Sequence, residues 1–327
     1  MSTYEMITAA HVRVSPHARR TPLLSSPFLD DIAGRRVWVK TECLQHTGSF
    51  KFRGGWAAIS ALSDADRARG VITFSSGNHA QGVANAAAKH GVSSIVIMPS
   101  DAPSVKIENT RALGAEVVLY DRASEDRNEV EKRVNPDGAR IFISPYDNDD
   151  VISGQGTVGI EVAAQAVENG ITSAHVLVPS GGGGLASGIA MALEELSPGM
   201  IVHTVEPERF DDIKRSLKSG QIERNAQTSG SVCDAVLTVC PGEKTFPILQ
   251  RLCGDGIMVT EQEALRAMVL AFERLRVVIE PGGAISLAAA LFHGDELKHD
   301  DVIAIATGGN VDAEVFNNAL AQFRSQS

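Results

Sequence analysis

Short runs of β-branched residues alternate with helical patterns along most of this chain, and few folds accommodate that alternation. The runs VITF (71–74), SIVIMP (94–99), EVVLY (116–120) and IFIS (141–144) are separated by helical stretches at 79–90, 105–113 and 123–134. A second series follows: a helix over 155–168, HVLVP (175–179), a helix over 184–196, IVHTVE (201–206), helices near 210–218 and 261–275, and VIAIAT (302–307). Several runs are apolar throughout, as strands are when both sheet faces are covered. The pattern predicts an α/β protein with doubly wound parallel sheets. At 327 residues the chain has room for two domains. Read from the residues alone, the divide falls in the turn-rich stretch SPYDNDDVISG, near Pro145 to Gly154, and RRVWVK (35–40) belongs to either half.

A formal charge of −10 and only 5% aromatic residues argue against nucleic-acid binding. The window Ile171–Leu193 has no charged residue, but Pro179 and Gly181–Gly184 at its centre would leave backbone groups unpaired in lipid, so it is not read as a membrane span. The N-terminal stretch has no basic leader, and the four cysteines show no metal spacing. A soluble, cytoplasmic protein with packed core thiols is expected.

Four motifs carry chemistry. PSGGGGLASG (179–188) follows an apolar run and opens a helix, which gathers backbone N–H groups and the positive helix end into an anion site, usually for phosphate. Gly181, Gly183 and Ala186 also fit the GxGxxA dinucleotide fingerprint with Glu206 about 20 residues on, so a nicotinamide-dependent dehydrogenase is an alternative. In TGSFKFRG (47–54), Lys51 stands among apolar and small residues; desolvation there favours a neutral amine able to form a Schiff base. SSGNHAQG (75–82) is a second cradle, sized for a carboxylate, with a polar helix cap as its ordinary reading. TGGN (307–310) ends an apolar run, where ligands collect in open α/β sheets.

In this order the four motifs resemble the serine/threonine dehydratase and serine racemase family of fold-type II pyridoxal phosphate (PLP) enzymes, which includes 3-hydroxyaspartate ammonia-lyases. The resemblance implies a tryptophan synthase β-like fold. Residues 1–48 and 148–327 would form a large PLP-binding domain and 49–147 a small mobile one, in place of two consecutive halves. Lys51 resembles the Schiff-base lysine, Phe50 a support for the ring, and Gly181, Gly182, Gly183, Gly184 and Leu185 the phosphate loop. Asn78 resembles the amide at the phenolic oxygen, and Thr307 the hydroxyl at the pyridine nitrogen, where the family more often has serine. Ser76 matches the serine opposite the lysine in racemising members. Ser75, Ser76, Asn78, His79 and Arg133 are expected around the substrate. Glu280 in EPGGA matches a loop on the cofactor's flank.

VEPERFDD (205–212) resembles the family's cation loop, with carboxylates from Glu206 and Asp212 and the carbonyl of Phe210 suited to Mg²⁺ or Ca²⁺. A metal there undercuts Glu206 as a ribose ligand. The implied reaction is β-elimination of water from a small 3-hydroxy amino acid (L-serine, L-threonine or 3-hydroxyaspartate) to a keto acid and ammonia. PLP acts as electron sink and Lys51 as general base. A hydroxyl at the pyridine nitrogen does not enforce protonation, which favours elimination over transamination. Racemisation is the nearest alternative. Hydroxyaspartate needs a cationic or multi-donor site for its second carboxylate, with Arg133, His46 and Arg53 as candidates. A homodimer is implied, and with the chain ending at Ser327 no regulatory domain or amino-acid feedback is expected.

Overall fold

The computed structural model describes residues 2–75, 77–102, 104–121, 124–227, 229–297 and 301–323. Ten strands among them form two sheets. The first contains β1 (Leu23–Ser25), β2 (Arg36–Lys40), β7 (Ala174–Pro179), β8 (Met200–Pro207), β9 (Ile257–Val259) and β10 (Asp301–Ile305), in the order β1-β2-β10-β7-β8-β9. Only β1 runs antiparallel to its neighbour. The second contains β3 (Val71–Phe74), β4 (Ser94–Pro99), β5 (Glu116–Tyr120) and β6 (Ile141–Phe142), all parallel, in the order β5-β4-β3-β6. The RVWVK run thus joins the larger sheet, with Val37 opposite Val302 and Trp38 opposite Ile303.

Both faces of the larger sheet are covered, which is why its strands carry apolar residues without alternation. Val37, Val39, Leu177, Val302 and Ala304 pack on one face with helices Glu261–Leu275 and Pro281–Phe292. Trp38, Val176, Val178, Ile303 and Ile305 pack on the other with helices Asp149–Glu168 and Gly184–Leu196. No helix among the described residues is long and apolar enough to cross a membrane.

Several elements depart from the sequence expectation. Helix Asp149–Glu168 begins inside the turn-rich stretch expected to divide two halves, because Asn148 caps it by accepting the Val151 N–H at 3.0 Å. The third helix of the first series starts only at Arg127. Strands β1 and β9, three residues each, are too short to show a period. Helix Pro281–Phe292 is apolar nearly all round and so has no amphipathic signature.

Behind the site a closed charge cluster ties three segments together. Arg53, wholly buried, donates to both oxygens of Glu42 and both of Glu161 at 2.8–2.9 Å. Lys40, also wholly buried, donates to Glu161 Oε2 at 2.5 Å, Gln165 Oε1 at 2.9 Å and the Thr21 carbonyl at 2.8 Å. Two cations face two carboxylates and every partner is hydrogen-bonded, the condition under which buried charge is tolerated. Burial opposes ionisation of Glu42, yet Arg53 holds its carboxyl below the usual range. Arg53→Met leaves two buried carboxylates to one lysine. The expected loss is about 3–5 kcal/mol of unfolding free energy by urea denaturation; a loss under about 1 kcal/mol contradicts this account of the cluster.

Candidate active site

Lys51 opens helix Lys51–Ala61, and its position is set by backbone contacts on both sides. Before it, the Phe50 N–H donates to the Thr307 carbonyl at 3.1 Å, and Ser49 forms an isolated bridge with Gly308. The lysine segment is thereby clipped to the end of β10. Behind it, helix Asn78–Lys89 approaches so closely that a Cβ on Gly82 would sit 2.7 Å from the Lys51 carbonyl oxygen. Only glycine permits that crossing. Phe52 and Trp56 of the Lys51 helix are buried in one cluster with Val83, Ala86 and Ala87 of helix Asn78–Lys89, which packs the two helices together.

The Lys51 ammonium donates to the Pro145 carbonyl at 2.8 Å and lies 5.2 Å from the Phe50 ring centroid. It faces a cavity of about 1000 Å³. Burial pushes its pKa down to about 8, and among the described residues it forms no ion pair to oppose the shift. A substantial neutral fraction is therefore present near neutral pH.

The glycine turn lines the same cavity, along with Leu185, Asn78, His79, Ser75, Phe50 and Thr307. Gly181–Gly184 link β7 to helix Gly184–Leu196, with Gly183 at a φ of +87°. A Cβ on Gly182 would lie 2.1 Å from the Tyr146 ring, so the turn is pressed against that aromatic residue. Thr245 Oγ1 donates to the Gly182 carbonyl at 2.7 Å and fixes the turn from behind.

One hydrogen-bonded chain joins the remaining motifs. Asn310 Nδ2 donates to the Thr47 carbonyl at 2.9 Å and to Asn78 Oδ1 at 2.7 Å; Asn78 Nδ2 donates to Glu280 Oε1 at 2.6 Å. The Glu280 N–H donates to the Gly308 carbonyl at 2.9 Å. Burial, with Asp234 adding to it, pushes the Glu280 carboxyl up to about 7. The four motifs, far apart in sequence, meet on one cavity.

Other expected residues stand differently. His79 is buried, with Nε2 3.2 Å from the Ile143 carbonyl; burial followed by the Lys51 charge pushes it down to about 3, so it is a neutral brace at the cavity wall. Arg133 is exposed and donates to Glu125 at 3.0 and 3.1 Å; Glu125 lines the cavity and Arg133 does not. His46 packs its ring 5.0 Å from that of Phe52, and Arg53 is committed to Glu42 and Glu161; neither lines the cavity. Ser76 lies outside the described residues. Cys43, Cys233 and Cys253 are pushed up to about 12 by burial and are protonated at neutral pH. Tyr146, Lys106, Asp234 and the wall from 235 to 243 also line the cavity and were not singled out from sequence, because none sits in a glycine turn or a motif of its own.

Glu206, Phe210 and Asp212 lie away from this cavity. Glu206 is wholly buried at the end of β8, and its two oxygens accept the N–H groups of Ile213 and Lys214 at 2.8 Å each. It caps helix Asp212–Ser219 and cannot reach a ribose, which removes the main support for a dinucleotide site. Burial pushes the Glu206 carboxyl up, as does neighbouring Asp212, and burial raises Asp212 to about 7. Asp212 Oδ1 accepts from Asn225, whereas Oδ2 is buried with no partner. No group of three or more His, Cys, Asp or Glu side chains suited to a metal occurs among the described residues.

Comparison with known proteins agrees with this geometry. Residues 14–308 match the family model described as pyridoxal-phosphate dependent enzyme. The chain is 40% identical to L-threo-3-hydroxyaspartate ammonia-lyase of Saccharomyces cerevisiae, over 98% of this chain and 96% of that one. Its structure superposes on that of T.th. threonine deaminase with a TM-score of 0.89 at 44% identity, covering 95% and 99% of the two chains. On serine racemase from Dictyostelium discoideum the TM-score is 0.87 at 38% identity, again over 95% and 99%. With a desolvated lysine and a glycine turn on one cavity, and a family match over most of its length, the chain belongs to the fold-type II pyridoxal-phosphate-dependent enzymes.

Proposed function

We propose that this chain is a PLP-dependent ammonia-lyase that removes water from a small 3-hydroxy amino acid, L-serine, L-threonine or 3-hydroxyaspartate, releasing a keto acid and ammonia. The observation that carries the reading is the Lys51 amine, lowered to about 8, facing the same cavity as the Gly181–Gly184 turn. The residues fit the cofactor: the turn is a cradle that side chains would fill, and Lys51 is the amine an aldehyde requires. Bound there, PLP supplies an electron sink that acidifies the α-hydrogen of an attached amino acid.

Each residue then has a task. Gly181–Gly184 and Leu185 hold the phosphate with backbone N–H groups. Phe50 supports the ring, and Thr307 offers its hydroxyl to the pyridine nitrogen. Asn78 gives one amide hydrogen to Glu280 and keeps a second for the phenolic oxygen. Ser75 and Asn78, with Ser76, receive the substrate carboxylate, and His79 braces that turn from the Ile143 carbonyl. The Lys51 amine, facing the cavity, would be the base that takes the α-proton. Arg133 is bonded to Glu125, which lines the cavity.

The unpartnered Asp212 Oδ2 beside the buried Glu206 supports Mg²⁺ or Ca²⁺ at Glu206, Phe210 and Asp212, where it would neutralise carboxylates that otherwise resist ionisation. A homodimer in the cytoplasm, with 1–48 and 148–327 as a large domain and 49–147 as a smaller mobile one, completes the reading. Racemisation by the same site is the second reading, supported by the similarity to the Dictyostelium racemase.

Keto-acid release from L-serine, L-threonine and each 3-hydroxyaspartate isomer, with and without a chelator, tests the proposal. At least one substrate is expected to turn over, Lys51→Ala to be inactive, and the chelator to slow the wild type. Absence of keto acid from all of them contradicts elimination, and equal rates with chelator contradict a functional cation. Gly182→Ala forces a Cβ into the Tyr146 ring at an overpacking cost of about 1–3 kcal/mol. A fall of about tenfold in PLP affinity is expected by titration of apoprotein; unchanged affinity contradicts the cradle.

A further inference from the structure

Carboxylates outnumber cations among the charged side chains that line the cavity. Among the described residues its walls carry seven carboxylate side chains and three cations, Lys51, Lys106 and Arg224. A substrate with two carboxylates enters such a space only if a cation or a set of hydrogen-bond donors awaits the second one, and a cation offsets the surrounding negative charge best. Lys51 is assigned to the cofactor, and Arg224 is exposed. The three candidates raised from sequence do not serve, since Arg53 and His46 do not line the cavity and Arg133 is an exposed partner of Glu125. Lys106 is left.

Lys106 projects from helix Ser104–Ala112 and is buried, with 8% of its surface accessible. Its ammonium donates to Asp234 Oδ2 at 3.0 Å, across to the 3-10 turn Asp234–Val236 on the opposite wall. An ammonium carries three donors, so two remain after Asp234 is served. Although burial opposes its charge, Asp234 and then Glu280 keep the ammonium protonated. The lysine stem runs beside the Ser75–Asn78 turn: a Cβ on Gly77 would lie 4.0 Å from Lys106 Cδ. The turn proposed to take the α-carboxylate is therefore adjacent to a buried, charged, incompletely used cation. A four-carbon diacid carries one carboxylate for each of these two receptors.

We infer that Lys106 is the specificity-determining residue of the site, its ammonium taking the second carboxylate of a 3-hydroxy dicarboxylic amino acid of the 3-hydroxyaspartate type. The inference rests on the elimination reading above and names its substrate class. With serine or threonine the ammonium keeps only Asp234. With the diacid it also makes a buried charge-assisted contact, of the kind whose truncation costs about 2–5 kcal/mol, or about 30-fold to several thousandfold.

The test compares wild-type, Lys106→Met and Lys106→Arg holoenzymes on L-threo-3-hydroxyaspartate and L-serine. The ratio of kcat/KM for hydroxyaspartate to that for serine is expected to fall at least 30-fold in Lys106→Met, chiefly through KM, and to recover partly in Lys106→Arg. An equal fall on both substrates, or an unchanged ratio, overturns the assignment, as does a wild type that turns over serine but not hydroxyaspartate. Calorimetric binding of succinate and butyrate to the same holoenzymes reads Lys106 without turnover. The wild type is expected to prefer succinate and Lys106→Met to lose that preference; no preference in the wild type overturns the inference. Succinate preference in a protein that releases no keto acid from any hydroxy amino acid contradicts the elimination reading and leaves the dicarboxylate receptor standing.

Discussion

The site depends on removing one amine from water while holding its backbone still. Among the described residues Lys51 forms no ion pair that would stabilise its charge, and desolvation lowers its pKa to about 8. That state persists only if the helix it opens cannot swing toward solvent. The Gly82 crossing presses a second helix against the Lys51 carbonyl, and the Phe50–Thr307 bond clips the segment to the end of β10. Beneath, Arg53 anchors the same helix to Glu42 and Glu161. The anchor is costly to desolvate and tolerable only because it is fully paired, which fits a role in holding geometry more than in adding net stability.

Charge is handled differently in three places. The Arg53 cluster balances two cations against two carboxylates and is closed to solvent. At Glu206 and Asp212 carboxylates are buried beside one another, and both rise in pKa. In the cavity the Lys106–Asp234 pair spans opposite walls, with the aspartate half exposed. The first arrangement supports structure, the second holds carboxylates that resist ionisation, and the third keeps donors available where a substrate would lie.

Most of the sheet framework was legible from sequence because strands covered on both faces show as unbroken apolar runs, and β3, β4 and β7 follow those runs closely; the edge strand β5 was legible from its β-branched residues despite its exposure. Strand β2 could not be assigned to a sheet, since its pairing with β10 spans more than 260 residues and no local signal reports it. The glycine turn, Asn78 and Thr307 stood out because each lies just beyond an apolar strand, and Lys51 because it is a single lysine among apolar and small residues. Arg53 was misjudged as a substrate cation because its commitment to Glu42 and Glu161 exists only once three segments meet. Lys106 was missed for the converse reason: an isolated helix lysine looks solvated until the fold buries it against Asp234.

The measurement closest to the centre of this account is peptide mass spectrometry of the PLP-loaded protein after borohydride reduction. A pyridoxyl phosphate adduct on Lys51 as the single modified lysine is the predicted result. A label on another lysine, or a cofactor that washes away unreduced, would contradict the claim that this amine is the desolvated attachment point.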